Sequence, residues 1–175
     1  MTPRPRPDLY SPRFRLRLPA PADTAMLAEI DMDPEVMRYI TDEPLTYERA
    51  LRWAKLRIEL DSYRWNLGIR LIEDRATSEL HGWVTLQKLD WMDEIELGYR
   101  LRRASWGRGI ATEASTRMLE YGFGEAGLDH VAAVTHPDNA ASQRVLAKLG
   151  FRYEKMVRAY EADLRYYTLV RPGLT

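Results

Sequence analysis

Chemistry in this chain is most concentrated between Ile95 and Ala114, IELGYRLRRASWGRGIATEA. The stretch reads as a strand over Ile95–Leu101, a basic loop broken by Gly107 and Gly109, and the start of a helix. Glycines on either side of Arg108 let the main chain approach a ligand closely, and the amides ahead of the first hydrogen-bonded turn have no partner inside the helix. Such a loop, at the positive end of a helix, is a cradle of bare N–H groups for an anion. It is not a dinucleotide fingerprint, whose third small residue would fall where Thr112 stands, and it lacks the Gly-Lys-Ser/Thr of a P-loop. Arg102, Arg103 and Arg108 either add charge at a bound phosphate or are solvated loop cations worth under about 1 kcal/mol each.

Two other places carry usable groups. Glu96 sits between Ile95 and Leu97, so a period of two turns it to the opposite face from both. On residue type alone it is a surface strand glutamate or an ion-pair partner. Further on, Asp138 or Asn139 caps a helix that carries Val145, Leu146 and Leu149 and stops at Gly150, with Ser142 in its first turn. Tyr153, Tyr160, Tyr166 and Tyr167 hold protons at neutral pH and could donate them, although core packing explains strand aromatics equally well. His81, His130 and His136 lack the spacing of a metal site, so no metal is expected.

Trp106-Gly107-Arg108-Gly109-Ile110-Ala111, with Leu97-Gly98-Tyr99 before it and Thr112-Glu113-Ala114 after it, resembles the acetyl-CoA signature of the GNAT superfamily of N-acetyltransferases. Together with Asn139-Ala140-Ala141-Ser142 and Lys148-Leu149-Gly150-Phe151, it is similar to the RimJ/RimL-like branch, which modifies ribosomal-protein N-termini and other amines. The likeness runs from about Arg13 to Val170 and departs from the superfamily pattern at Trp106, where Gln or Arg is usual. It implies acetyl-CoA as co-substrate, held by main-chain amides from Gly107 through Ala111 with Thr112 beside them, and flanked by Trp106, Arg103 or Arg108. By the same resemblance Leu97, Gly98 and Tyr99 line the pantetheine arm, with Leu97 and Gly98 polarising the thioester carbonyl. Asn139 and Ser142 are implied at the sulfur end, Ser142 giving a proton to the leaving thiolate. Glu96 is implied as the general base, acting directly or through water.

The activity so implied is direct transfer of the acetyl group to a primary amine, a protein N-terminus or a small-molecule amine, in a ternary complex. Two rivals from other classes are an acyl-CoA-sensing module without turnover and an RNA- or ribosome-associated protein that uses the Arg-rich stretch from Met1 to Arg6. Family members often dimerise, so a homodimer is an open expectation.

Composition narrows these readings. There are 26 Lys and Arg against 26 Asp and Glu in 175 residues, so no global charge draws the chain to nucleic acid or an anionic membrane. Cysteine is absent, which excludes disulfides and passage of the acyl group through a protein thiol. No apolar run approaches the ~18 residues of a membrane span, and a Pro- and Arg-rich N-terminus without a hydrophobic stretch leads to the expectation of a cytoplasmic protein. A lysine amine with pKa ~10.4 costs on the order of 4 kcal/mol to present neutral at pH 7, whereas an α-amine near 8 costs less than about 1 kcal/mol. A single, partly exposed carboxylate therefore suits an N-terminal or weakly basic acceptor better than an unaided lysine.

The elements that must position these groups follow from hydrophobic period. Phe14, Leu16 and Leu18 alternate with Arg13, Arg15 and Arg17 as a half-buried strand with a wet arginine face. Strands are expected over Trp65–Leu71, Gly82–Leu89, Ile95–Leu101, Val131–Val134, Phe151–Val157 and Asp163–Val170, and helices over Ala22–Ile30, Pro34–Tyr39 and beyond Thr46. After the glycine loop, Ile110, Ala114, Met118 and Tyr121 form one helix face. The chain is thus expected to be a flexible tail over 1–10 and a single α/β (α+β) domain over 11–175. The resemblance adds a GNAT fold: a mixed, mostly antiparallel sheet of about six or seven strands flanked by helices, whose fourth and fifth strands splay to admit the pantetheine arm. Asp31, Asp33, Glu35, Asp42 and Glu43 are read as helix caps or as an acidic lure for a cationic acceptor.

Overall fold

A computed structural model describes residues 6–61 and 67–173. Eight strands form one sheet: β1 (Leu9–Tyr10), β2 (Phe14–Arg17), β3 (Gly68–Asp74), β4 (Leu80–Lys88), β5 (Ile95–Leu101), β6 (His130–Thr135), β7 (Arg152–Ala159) and β8 (Ala162–Val170). Their order is β1-β2-β3-β4-β5-β6-β8-β7, and every neighbouring pair is antiparallel except β5 and β6. Helices α1 (Thr24–Met32), α2 (Pro34–Met37) and α3 (Tyr47–Asp61) precede β3; α4 (Ile110–Gly124) links β5 to β6 and α5 (Ala140–Lys148) links β6 to β7.

The alternation expected in the strands is present: Phe14 and Leu16 are buried in β2, and Leu97 and Leu101 in β5. The α4 stripe of Ile110, Ala114, Met118 and Tyr121 is buried against one sheet face, packed with Val84, Leu86, Leu97 and Leu101. Each large side chain withdrawn from water there contributes about 2 kcal/mol. On the other face α1 and α3 bring Leu27 and Ala54 onto Ile69, Leu71 and Trp83. Asp33 caps α2, its carboxylate accepting from the Glu35 amide at 3.0 Å, with Pro34 in the first turn. At the far end of α5, Gly150 N–H donates to Ala147 O and Phe151 N–H to Leu146 O, the paired bonds of a Schellman cap.

Two expectations are corrected. The sheet has eight strands, not six or seven, because β1 lies inside the stretch read as a tail over 1–10. Leu9 is buried and pairs with Leu16, and the Arg15 guanidinium holds Asp8 at 2.8 Å. A two-residue strand shows no period, so its pairing cannot be read from pattern. The arginines of β2 are not simply a wet face either: Arg17 reaches Glu73 at 2.7 Å and Asp23 at 2.8 Å, bridging two elements. Trp65, the expected start of the second strand, lies outside the described residues; β3 runs from Gly68.

The strands expected to part are β5 and β6. Their parallel ladder registers a single pair, Glu96 with Ala132. Beyond it, the edge of β5 turned away from β4 has no registered strand partner among the described residues.

Candidate active site

Both helices that leave the parting strands start at the same end of the sheet, α4 after β5 and α5 after β6. Two parallel strands diverging with helix N-termini above them make the crevice in which open α/β sheets bind ligands. At α4 the sequence enforces an open amide row. Gly107 and Gly109 both sit in the left-handed region, at φ 72° and 73°, and a Cβ at Gly107 would meet nothing within 4 Å. Conformation, not crowding, therefore calls for glycine there. The N–H groups of residues 107 through 112 make no main-chain hydrogen bond among the described residues; the first helical bond is Glu113 N–H to Gly109 O at 3.0 Å.

A clamp that pattern did not show holds this loop. The Arg13 guanidinium donates to Arg108 O from both terminal nitrogens at 3.2 Å and to Glu113 Oε2 at 2.7 Å. Glu113 also accepts from the Arg13 N–H at 2.9 Å and the Ser11 hydroxyl at 2.8 Å. Burial pushes the Glu113 carboxyl up, yet these donors outweigh it and hold its pKa below the ordinary value. Because Arg108 O accepts from Arg13, it is not drawn into a helical bond with the Thr112 amide. The clamp spans about a hundred residues of sequence, which is why no local pattern disclosed it.

The remaining expected binding residues divide. Trp106 is exposed, and its indole N–H caps the end of β5 by donating to Leu101 O at 3.2 Å. Arg103 turns toward Asp33 at 3.5 Å and Arg102 toward Glu29 at 3.5 Å, which leaves Arg108 as the basic side chain of the loop with no ion pair among the described residues. Ile110 is buried and anchors the helix start, while Ala111 and Thr112 continue the amide row. Leu97 is buried against α4; Gly98, on the face of Glu96, lies beside Thr85.

Asn139 is the cap of α5, its Oδ1 accepting from the Ser142 N–H at 3.1 Å. The Ser142 hydroxyl meets the Tyr99 hydroxyl at 2.9 Å, joining α5 to β5 across the opening. Burial raises the Tyr99 pKa to about 12, with the Ser142 hydrogen bond pulling the other way. Tyr99 was legible only as a flank of the signature; its hydroxyl contact needs the fold. Tyr39 stacks on His136 with centroids 5.1 Å apart, so the loop after α2 covers the end of β6.

Glu96 lies at the fork itself, 8% exposed. Burial raises its pKa to about 7; the Val134 amide and the Gln87 side chain, turned toward the carboxylate, pull it back, and the charge of Asp90 adds to the rise. Since β6 leaves β5 after Ala132, the Val134 amide has no β5 partner and faces the carboxylate instead. Gln87, Asp90 and Tyr160, the neighbours of Glu96, line a cavity of about 880 Å³ that Glu96 itself does not line and that extends to Trp53, Arg57 and Trp83. Of the four late tyrosines, Tyr160 is therefore the one beside Glu96; Tyr166 bonds Glu94, and Tyr153 and Tyr167 pack edge to face on each other.

Tyr160 is held by a strained turn. It and Glu161 are the two central residues between β7 and β8, both left-handed at φ 51° and 63°, where hairpins of this type favour Asn-Gly. Glu161→Gly is expected to stabilise the fold by about 1 kcal/mol, a rise of roughly 2–4 °C in Tm for a chain of this size. An unchanged Tm would mean that the turn stores no strain.

The acidic group seen in the sequence is also resolved. Asp33 is a cap, but Asp31 is fully buried and accepts from Arg57 at 3.2 Å and from Arg100. Period two in β5 places Arg100 on the face of Glu96 and Gly98, so a buried acid opposite it was inferable; the position of that acid on α1 was not. The three histidines lie apart, and among the described residues no group of three or more His, Asp or Glu converges to hold a metal. No helix among them is long and apolar enough to cross a membrane.

The crevice thus sets an open row of amides at a helix start beside a buried carboxylate at the strand fork. The chain belongs to the Acetyltransferase (GNAT) domain family, which matches residues 13–152. It is 32% identical over 178 residues to the uncharacterized N-acetyltransferase YoaA of Bacillus subtilis, covering 95% of this chain and 98% of that protein. Its fold matches the acetyltransferase of Agrobacterium tumefaciens with a TM-score of 0.82 at 21% identity, over 94% of this chain and 95% of the other. RimL, a ribosomal L7/L12 alpha-N-protein acetyltransferase solved in complex with coenzyme A, matches with a TM-score of 0.78 at 16% identity, over 94% and 98%. The protein is an acyltransferase of N-acetyltransferase type that uses acetyl-CoA. The open amide row and the parted strands fit that co-substrate.

Proposed function

We propose that the enzyme acetylates a primary amine by direct attack, with a protein or peptide N-terminus as the favoured acceptor class. The observation that carries this reading is the position of Glu96: a carboxylate with pKa about 7 at the point where β5 and β6 separate. A base of that strength matches an α-amine with pKa near 8 far better than a lysine near 10.4. The ribosomal-protein acetyltransferases among the structural neighbours, and the similarity to the RimJ/RimL-like branch, favour the same class.

Acetyl-CoA supplies an acyl group already activated as a thioester. The amides of residues 107 through 112, with Arg108, hold its pyrophosphate, and the unpaired edge of β5 at Leu97 and Gly98 receives the arm and the carbonyl. Glu96 accepts the amine proton as the C–N bond forms and the C–S bond breaks. From the opposite face of β5, the Ser142 hydroxyl gives its proton to the departing sulfur and regains one through Tyr99, whose raised pKa keeps it protonated.

The test is thiol release from acetyl-CoA against N-terminal peptides, lysine peptides, polyamines and aminoglycosides. Release matched by acetylated amine, highest with N-terminal peptides, is the expected result. Thermal stabilisation by acetyl-CoA without turnover across the whole panel would instead identify an acyl-CoA sensor.

A further inference from the structure

The acceptor-side cavity is electrostatically lopsided: among the described residues its far end sets two guanidiniums against one carboxylate. Along β4 and β5 one sheet face carries three cross-strand rows: Trp83 with Arg100, Thr85 with Gly98, and Gln87 with Glu96. The middle row has no side chain on β5, so the floor between Arg100 and Glu96 is low; Thr85 and Trp83 cover it. At the Glu96 end the lining is acidic on balance: Asp90, Glu94, whose carboxylate accepts from Tyr166 and stands 3.9 Å from His130, Asp93 paired to Lys88 at 2.7 Å and Asp129 paired to Arg171 at 3.2 Å. That end suits a cationic amine.

The other end is cationic. Arg57 and Arg100 both stack on the Trp83 ring, at 4.8 and 5.1 Å, and share one carboxylate, Asp31. Two guanidiniums against one fully buried acid leave one positive charge in surplus. Arg100 is 10% exposed and closed in, whereas Arg57 is 21% exposed and lines the cavity. Arg57 spends only Nη1 on Asp31, at 3.2 Å; its Nε and Nη2 make no hydrogen bond among the described residues. A partly desolvated cation with free, planar donors is a receptor for a carboxylate or phosphate.

Resting on the transferase reading above, we propose that the acceptor carries an anionic group, remote from its amine, that Arg57 binds. Gln87 stands four positions after Trp83, about 13 Å along the strand. After both side chains reach inward, an anion on the second or third residue of an extended peptide spans the gap, and the carboxylate of a free α-amino acid falls short.

The experiment compares kcat/KM for matched peptide amides, Ala-Glu-Ala, Ala-Gln-Ala and Ala-Lys-Ala, with the same substitutions at the third position, and for 6-aminohexanoate against 6-aminohexanamide. The acidic member of a series is expected to lead the neutral one by on the order of ten- to a hundredfold. Arg57→Gln should erase that lead, Arg57→Lys should keep part of it, and Arg57→Glu should move preference to the lysine peptide. Arg57→Gln leaves Asp31 paired one-to-one with Arg100, so it is expected to fold. Equal rates for acidic and neutral acceptors, or a preference that survives Arg57→Gln, would overturn the proposal and leave acetyl transfer standing. If no acceptor releases thiol, the transferase reading fails separately. Tm with coenzyme A and each acceptor then decides: stabilisation by acidic acceptors that Arg57→Gln abolishes supports the anion site, and none refutes it.

Discussion

Glu96→Gln is expected to lower kcat/KM by about 10²–10⁴-fold, the usual worth of a positioned general base. It should also remove the limb near pH 7 from the pH profile, leaving only the limb that belongs to the acceptor amine. The same variant should be more stable than the parent at alkaline pH. The Glu96 carboxyl goes from an ordinary 4.5 to about 7 on folding, so the native state holds a proton that the unfolded chain gives up. The stability this proton brings is complete below pH 4.5 and is lost as pH rises through 7, where the buried carboxylate costs about 3 kcal/mol. Glutamine does not titrate and can still bond Gln87 and the Val134 amide. A higher Tm than the parent at pH 8 that converges with it at pH 4, together with the lost limb, is the joint expectation. A variant with unchanged kcat/KM and profile removes Glu96 from the mechanism, whatever its Tm.

This pairing of lost activity with gained stability accounts for the cost of placing the base where it is. The β5–β6 ladder stops after one pair, and Glu96, at that point, is buried from water. Opening the sheet and raising the carboxyl pKa are thus one structural event.

What the sequence could disclose follows from the range of each interaction. The α4 stripe, the opposite-facing Glu96 and the glycine loop depend on residues a few positions apart, so period and backbone freedom were enough to read them. The Gly150 stop was legible for the same reason, and the cap of α5 to within Asp138 or Asn139, of which the structure selects Asn139. The Arg13–Glu113 clamp joins residues 100 positions apart and the Tyr99–Ser142 contact residues 43 positions apart in sequence, and either partner alone has an ordinary local use. Asp31 is the sharpest case. Acids at the ends of short helices look alike in sequence, and only packing of α1 on β5 separates the cap Asp33 from the buried Asp31.

Asp31→Ala is therefore expected to cost about 3–5 kcal/mol, the range for breaking a buried ion pair from one side, or roughly 6–20 °C in Tm. Its removal leaves Arg100 enclosed and Arg57 half-enclosed with no carboxylate between them, and two cations then share one aromatic face at Trp83. Arg57 can turn to water, but Arg100 cannot. Replacing both enclosed groups, Asp31→Leu with Arg100→Met, removes the desolvated charges together and should recover most of the loss, because a well-packed apolar pair of similar volume is no worse than a buried ion pair. The coupling between the two sites, read from a double-mutant cycle in urea, is expected to exceed about 2 kcal/mol. A loss below about 1 kcal/mol for Asp31→Ala would show that water reaches Arg100, and that the positive charge at the cavity end is not held by burial. Since Asp31 ties α1 and α3 to β5 through these two arginines, the same variant should also loosen Arg57 and flatten the preference between acidic and neutral acceptors before it unfolds the chain.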